Sequence, residues 1–366
     1  MNDMNSQLLK YQRDGRHNLN VEKEFSLYNC SETDLKRIKR NGIVQYSLIE
    51  EKCEELSKFR RYLASFPKEK SDSAIYYLVK TERSEMMIDG LINIYSRFNK
   101  KFNYPIILFH EQKLSQQLKD EFRNICPKCN LFFQLINFTV PTQYKRNLPL
   151  IDKLLVKDAG KGRICSRAED VNYRTMCRFQ SFLVYEEPIL DHLEYIWRLD
   201  DDSRILSDIN YDVFNFMRAK KLLYGWTVVT QDEVLCVKNL WEAVNLYVEV
   251  NLLNRTCFFH KWPYPLIFMN NFEISSVSLF KSDSYTKFIS YLDNLGGIYR
   301  YRWGDAPIKT IAVSLFVSLN QVHYFEDIEY NHGGMRNPPD PKRVQINWQI
   351  DPKKIFDFKF NPKKHF

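Results

Sequence analysis

Three short apolar runs, separated by stretches of helical periodicity, constrain this chain more than any other feature of its sequence. They are Ala74-Ile-Tyr-Tyr-Leu-Val79, Tyr104-Pro-Ile-Ile-Leu-Phe109 and Leu131-Phe-Phe-Gln-Leu-Ile136. Each is short, rich in β-branched or aromatic residues and bounded by polar ones, which is how a buried strand reads. Between the first two, Glu82 to Phe98 carries apolar residues at Met86, Met87, Leu91, Ile94, Tyr95 and Phe98, a helical spacing. Leu114 to Cys126 supplies the second helix. Strand, helix, strand, helix, strand at these lengths predicts a parallel sheet with helices on its faces. Ligands of such sheets bind beyond the carboxyl ends of the strands, so a nucleotide site is expected near Val79-Lys80-Thr81-Glu82-Arg83. No GxGxxG or Walker sequence occurs, so neither the dinucleotide nor the P-loop fingerprint applies.

The pattern continues downstream. Asp170 to Tyr185 reads as a helix, and Tyr195-Ile-Trp-Arg-Leu199 as a strand. Trp226 to Thr230 and Ile267 to Ile274 read as single strands, with the helix Val234 to Val250 between them. Asp283 to Leu295 is a helix stopped by Gly296-Gly297, and Ala306 to Leu319 a helix with Pro in its first turn. Residues 1–70 are charged and weakly periodic, and read as two helices or a mobile arm. Lys52 to Phe66 is the stronger helix there. From Gly333 the chain is Pro-rich and irregular, with Trp348 and several Phe residues available to pack back on the body. The expected organisation is an N-terminal arm over 1–70, one catalytic domain over 71–332 and a tail over 333–366. There is no tethering linker and no fixed-period repeat.

Composition excludes more than it identifies. The net charge of +8 is carried partly by Lys36-Arg37-Ile38-Lys39-Arg40, Lys353-Lys354 and Lys363-Lys364, and reads as a solvated face. No aromatic-basic signature or zinc-finger spacing supports a nucleic-acid partner. No apolar run approaches the roughly 20 residues that span a bilayer. Met1 to Asn20 is polar and lacks the apolar core of a signal peptide. The eight cysteines are scattered, and Cys126-Pro-Lys-Cys129 has no second such pair to complete a zinc site, so the cysteines read as unpaired. Sequons at Asn29, Asn137 and Asn254 are no more than an Asn-rich chain produces by chance.

Asp200-Asp201-Asp202 is the sharpest local feature. It follows an apolar strand directly, where α/β ligand sites form. Asp200 and Asp202 are two residues apart and share one side of an extended segment. Adjacent carboxylates repel unless a cation neutralises them. Their oxygens suit Mn²⁺ or Mg²⁺, which keeps waters and bridges to phosphate oxygens. This is the DXD arrangement of many nucleotide-sugar transferases.

Seven further stretches occur in a telling order. They are Arg97-Phe-Asn-Lys-Lys-Phe-Asn-Tyr-Pro105, Asn172-Tyr-Arg-Thr-Met-Cys-Arg-Phe179, Tyr195-Ile-Trp-Arg-Leu199, Tyr224-Gly-Trp-Thr227 and Asn271-Phe-Glu-Ile274. Gly296-Gly297 followed by Arg302-Trp-Gly-Asp-Ala-Pro307, and Asp327-Ile-Glu-Tyr-Asn-His332, complete the set. With them the chain resembles the fungal α-1,2-mannosyltransferases, the glycolipid 2-α-mannosyltransferase family (glycosyltransferase family 15), over roughly residues 73 to 332. The resemblance implies a GT-A-like α/β fold, with a mixed, mostly parallel central sheet and helices on both faces. It implies a GDP-mannose donor, Mn²⁺ with Mg²⁺ as second choice, and retention of anomeric configuration. The acceptor it implies is a mannose-containing glycan, on a glycoprotein or glycolipid, in the Golgi. Carried over by position, Glu273 and Asp305 are the catalytic candidates. Tyr173, Arg178 and Arg198 are the donor-binding candidates, and Asp200 and His332 the metal ligands, with Asp202 of the acid run sharing the metal. Asp200 stands where the family has Glu, and Glu329 where it has Gly; the Cys-rich tail of fungal members is missing. A same-fold transferase with another nucleotide sugar, and a non-catalytic carbohydrate-binding relative, are the alternatives.

Overall fold

The computed structural model describes residues 30–159, 165–339 and 349–357. Met1 to Asn20, Asn29, Trp348 and Lys363-Lys364 lie outside the described residues. The three apolar runs become β1 (Ser73–Val79), β2 (Ile106–His110) and β3 (Leu131–Leu135). Then come β4 (Tyr195–Leu199), β5 (Arg204–Ile205), β6 (Tyr224–Trp226), β7 (Val229–Gln231), β8 (Leu266–Phe268) and β9 (Phe272–Ser276). The last four are β10 (Val322–Tyr324), β11 (Tyr330–His332), β12 (Met335–Asn337) and β13 (Gln349–Ile350). Seven strands form the central sheet in the order β10-β6-β9-β4-β1-β2-β3. All run parallel except β9, which is antiparallel to both β4 and β6. The mixed, mostly parallel sheet is therefore the one expected.

Both faces of this sheet are covered, which is why its strands read as unbroken apolar runs rather than alternating ones. In β1, Ala74 and Tyr76 point into one core, with Ile107, Phe109 and Ile196. Ile75, Tyr77 and Val79 point into the other, with Leu108, Trp197 and Ile274. The helices Ser84–Ile94 and Gln116–Ile125 cover the second face through Met87, Leu91, Ile94 and Phe122. The helices Val171–Ser181, Asp283–Leu295 and Asp305–Phe316 cover the first. Asp283–Leu295 ends as expected, with Gly296 in the left-handed region at φ 71°.

Among the described residues, those from Cys30 to the start of β1 pack into the same body as the sheet. Glu32–Arg40, started by a Ser31/Asp34 capping box, and Tyr46–Ala64 place Leu35, Ile38, Leu56 and Phe59 in the same core as Phe109 and Phe132. Lys52, fully buried, donates to Glu187 at 2.5 Å and to the Leu135 carbonyl at 2.7 Å. The basic run is partly spent internally: Arg37 pairs with Asp191 at 2.7 Å, and Arg40 with Glu186.

The fold departs from two expectations. Four of the cysteines are paired, Cys30 with Cys53 and Cys126 with Cys129. The first pairing depends on how two helices pack, which spacing along the chain does not carry. The stretches Trp226–Thr230 and Ile267–Ile274 each bend and change sheet. β6 and β9 belong to the central sheet, whereas β7 pairs with β8 on one side and β13 on the other in a second, three-stranded sheet. A hydrogen bond from Met269 N to the Val228 carbonyl, 2.9 Å, joins the two bends. Apolar residues stand on both sides of each bend, so the pattern shows one strand where there are two. Among the described residues no helix is long and apolar enough to cross a membrane.

Candidate active site

The bends matter because they open a cleft of about 610 Å³ beyond the carboxyl ends of β1 and β4. Leu78, Lys80 and Arg83 line it from the end of β1, as the strand-end rule anticipates. Asp200, Asp201 and Asp202 line it from the end of β4. Thr230, Gln231, Ile267 and Met269 form the wall made by the second sheet.

The acid loop is held from below. Ser203 Oγ accepts from Asp200 N at 3.1 Å and donates to the Asn271 carbonyl at 3.0 Å. Tyr330 Oη shares a 2.7 Å hydrogen bond with the same Ser203 Oγ, which ties β11 to the loop. β11 thereby delivers His332: its Nε2 lies 2.9 Å from Asp202 Oδ1 and 3.9 Å from Asp200 Oδ2. The hydrogen bond from His332, then its charge, hold the Asp202 carboxyl down to about 2. Burial pulls the His332 imidazole down, but the Asp202 hydrogen bond and both acid charges outweigh it and leave its pKa raised. Its Nδ1 is buried without a partner.

In donor type these side chains suit a divalent ion, around which the carboxylates of Asp200 and Asp202 would draw together. Two carboxylates and an imidazole are the donor types Mn²⁺ takes. The 2.9 Å gap between His332 and Asp202 is close to the roughly 3 Å between adjacent ligands of an octahedral ion with bonds of about 2.1 Å.

Arg198 connects this cluster to the cleft floor. Its guanidinium reaches Asp200 Oδ1 at 3.1 Å and Asp305 Oδ2 at 2.5 Å. Asp305 opens the helix Asp305–Phe316 and also accepts from Asn270 at 2.7 Å. Burial would raise its pKa; the Arg198 charge and hydrogen bond outweigh burial and hold it below the usual carboxylate range. Tyr173, Met176 and Gln180 line the cleft from one stripe of the helix Val171–Ser181. Arg167 lies 4.1 Å and Arg302 5.1 Å from the Tyr173 ring centroid, so two guanidiniums flank it.

Two expected site residues are elsewhere. Arg178 is on the opposite stripe of its helix, one turn beyond Arg174, and is committed to Asp293 at 2.7 Å. It does not line the cleft. Glu273 lies beneath the floor at 0 % exposure. It is the cross-strand partner of Arg198. It accepts from Lys309 at 2.7 Å, Tyr224 at 3.1 Å, Ser275 at 3.1 Å and Tyr185 at 3.4 Å. A carboxylate so enclosed and so fully paired has no free face toward a sugar. Tyr173, Arg198, Asp200, Asp202, Asp305 and His332 are the expected residues that share the cleft. Arg302, Arg167 and Asn270 were not anticipated. Arg302 stands in the recognised Arg302-Trp-Gly-Asp-Ala-Pro307 stretch, which was the available signal for it.

A mostly parallel sheet with one reversed strand, and an acid loop with an imidazole at its carboxyl edge, define a glycosyltransferase of the GT-A class. The chain matches the glycolipid 2-α-mannosyltransferase family over residues 23–364 and belongs to it. It is 29% identical over 310 residues to α-1,2 mannosyltransferase KTR1 of Saccharomyces cerevisiae, covering 79% of this chain and 76% of that one. Another curated relative is matched over 62% of its own length. Among solved structures, the mannosyltransferase Ktr4p of S. cerevisiae in complex with GDP superposes with a TM-score of 0.69 at 26% identity, over 90% of this chain and 93% of that one. Core-mannan synthase A of Aspergillus fumigatus, in its Mn/GDP form, gives a TM-score of 0.69 at 27% identity, over 74% and 77%.

Proposed function

We propose that this enzyme transfers mannose from GDP-mannose to a mannose-containing glycan, on a glycoprotein or glycolipid, forming an α-1,2 linkage with retention and in dependence on Mn²⁺. The observation that carries this reading is the joining of Asp200, Asp202, His332 and Arg198 at the rim of one cleft. The GDP and Mn/GDP complexes of the two structural relatives support the donor and the ion. The α-1,2 linkage and a Golgi setting rest on the family.

Asp200, Asp202 and His332 would hold the ion, which stabilises the negative charge of the leaving diphosphate when bound. Arg198 is fixed by two carboxylates and cannot swing away, so its positive charge is positioned before the donor arrives. Arg167 and Arg302 add cationic groups beside Tyr173. Glu273 is a positioning residue in this reading: through Lys309 and the β4–β9 register it fixes the strand that carries Arg198. Retention then follows from entry of the acceptor hydroxyl on the face the diphosphate leaves, with no covalent intermediate on Glu273.

The test is calorimetric titration of GDP with and without Mn²⁺, followed by turnover with a panel of nucleotide sugars and an α-methyl-mannoside acceptor. GDP binding should need the ion and weaken at least tenfold in Asp202→Asn and His332→Ala. GDP affinity indifferent to divalent ions would overturn the metal assignment, and transfer from a donor other than GDP-mannose the donor assignment.

A further inference from the structure

Away from the acid loop, Cys165, Glu233 and Cys236 bring one donor atom each within 4.8 Å of one another. Among the described residues no other trio of His, Cys, Asp or Glu side chains is gathered this tightly. Cys165 is 2 % exposed and Cys236 0 % exposed. The carboxylate of Glu233 reaches them from the surface. We propose that these three residues form a binding site for a thiophilic divalent cation of the zinc class, distinct from the Asp200–Asp202–His332 cluster.

Three observations carry the assignment. The Sγ of Cys236 lies 3.6 Å from Glu233 Oε2. A tetrahedral ion with a sulfur bond of about 2.3 Å and an oxygen bond of about 2.1 Å sets those two donors about 3.6 Å apart. Next, the fold closes Cys30–Cys53 and Cys126–Cys129 into disulfides but leaves Cys165 and Cys236 as free thiols. Two buried thiols this close offer two soft donors to one ion. Finally, Glu233 is oriented as metal-bound carboxylates are: Ser166 N donates to its Oε2 at 2.9 Å and Ser166 Oγ to its Oε1 at 2.7 Å.

The charge balance closes. Binding displaces one proton from each thiol to solvent. Two thiolates, one carboxylate and a doubly positive ion leave one net negative charge. Arg302 lies close enough to both sulfurs for its charge to act on them, and supplies the compensating positive charge. Three protein ligands leave a fourth tetrahedral position open.

The position gives the site its consequence. Ser166 and Arg167 line the cleft from one segment of the chain, Asp232 and Glu233 from a neighbouring one. An ion held by Cys165 on the first, and by Glu233 and Cys236 on the second, ties the two segments together. It thereby fixes the guanidiniums of Arg167 and Arg302 against Tyr173.

The test uses Co²⁺ added to the whole protein without reductant. One equivalent should produce sulfur-to-cobalt charge-transfer absorption with the strong visible bands of a tetrahedral ion, abolished by added Zn²⁺ and accompanied by proton release. Cys236→Ser should lose the absorption, Glu233→Gln should weaken binding at least tenfold with thermal stability retained, and Asp202→Asn and Cys257→Ser should keep it. Absence of the charge-transfer band in the folded wild-type protein would overturn the proposal. So would a Cys165–Cys236 disulfide in a non-reducing peptide map, or a band that disappears in Asp202→Asn.

Discussion

Arg83 grips Asp201 with two hydrogen bonds, Nε to Oδ2 at 2.6 Å and Nη2 to Oδ1 at 2.5 Å. This fork solves the problem that three consecutive carboxylates pose. The middle acid is neutralised by a guanidinium from the turn after β1, while its neighbours face His332. Two parallel charged hydrogen bonds also fix the loop's orientation, which a single-point contact does not.

Arg83→Ala therefore leaves Asp201 uncompensated beside two other acids and unpins the loop. Mn²⁺ affinity in the absence of nucleotide is expected to fall about tenfold, the usual effect of losing a residue that orients metal ligands. Arg83→Lys keeps the charge but not the fork, and should fall between the two. Calorimetric Mn²⁺ titration decides it; an unchanged affinity in Arg83→Ala removes the orienting role.

The Glu273–Lys309 pair makes a second prediction. Both side chains are 0 % exposed, so deleting one charge strands the other in the core. Glu273→Gln should cost about 3–5 kcal/mol of stability and most of the activity. The double variant Glu273→Gln, Lys309→Met removes both charges and should recover much of the stability, read by urea denaturation. The activity separates the roles. A positioning residue predicts that turnover returns in part with the fold, whereas a nucleophile predicts a stable protein with none.

His110, at the carboxyl end of β2, gives a pH dependence. Burial holds its imidazole down to about 4, and its Nδ1 lies 2.9 Å from the Gln112 carbonyl. Below the ordinary value of about 6.5, the unfolded chain takes up a proton that the folded protein refuses until about pH 4. Its contribution is thus flat above pH 6.5, and stability declines as pH falls across that window. The loss reaches about 3 kcal/mol at the bottom of it. Urea midpoints from pH 7 to 4.5 should show this slope, and His110→Gln should flatten it. A slope equal to that of wild type assigns the acid sensitivity to other groups.

How much of this the sequence carried depended on the range of the interaction. The parallel β1–β2–β3 unit was legible because a strand buried on both faces needs a continuous apolar run, and a covering helix needs its own period. Asp200 and Asp202 were legible because they follow such a run directly. His332 was reached only through the Asp327-Ile-Glu-Tyr-Asn-His332 stretch, since nothing local marks an imidazole more than 100 residues away as their neighbour. Glu273 and Arg178 show the opposite limit. Position along the chain locates a charged residue, but the pairing that removes it from the cleft comes from Lys309 and Asp293, on other elements. The bends after Trp226 and Phe268 were hidden for a further reason, because both halves of each strand are apolar.

Gly90 yields the last prediction, because it interrupts a helix where glycine is a poor choice. In the interior of Ser84–Ile94, alanine would be favoured by about 1 kcal/mol. A Cβ there would stand 3.0 Å from the backbone carbonyl oxygen of Asp201, tighter than ordinary contact. That carbonyl also accepts from Arg204 Nη1 at 2.8 Å, which limits its freedom to retreat. The missing side chain therefore lets the helix pass close under the acid loop. Gly90→Ala should leave the melting temperature near wild type, since propensity gained offsets crowding, yet lower kcat/KM about tenfold by displacing Asp200 and Asp202. Gly90→Leu should lose more of both. Wild-type kcat/KM and Mn²⁺ affinity in Gly90→Leu would mean that the loop adjusts freely and that the glycine has no part in placing the acids.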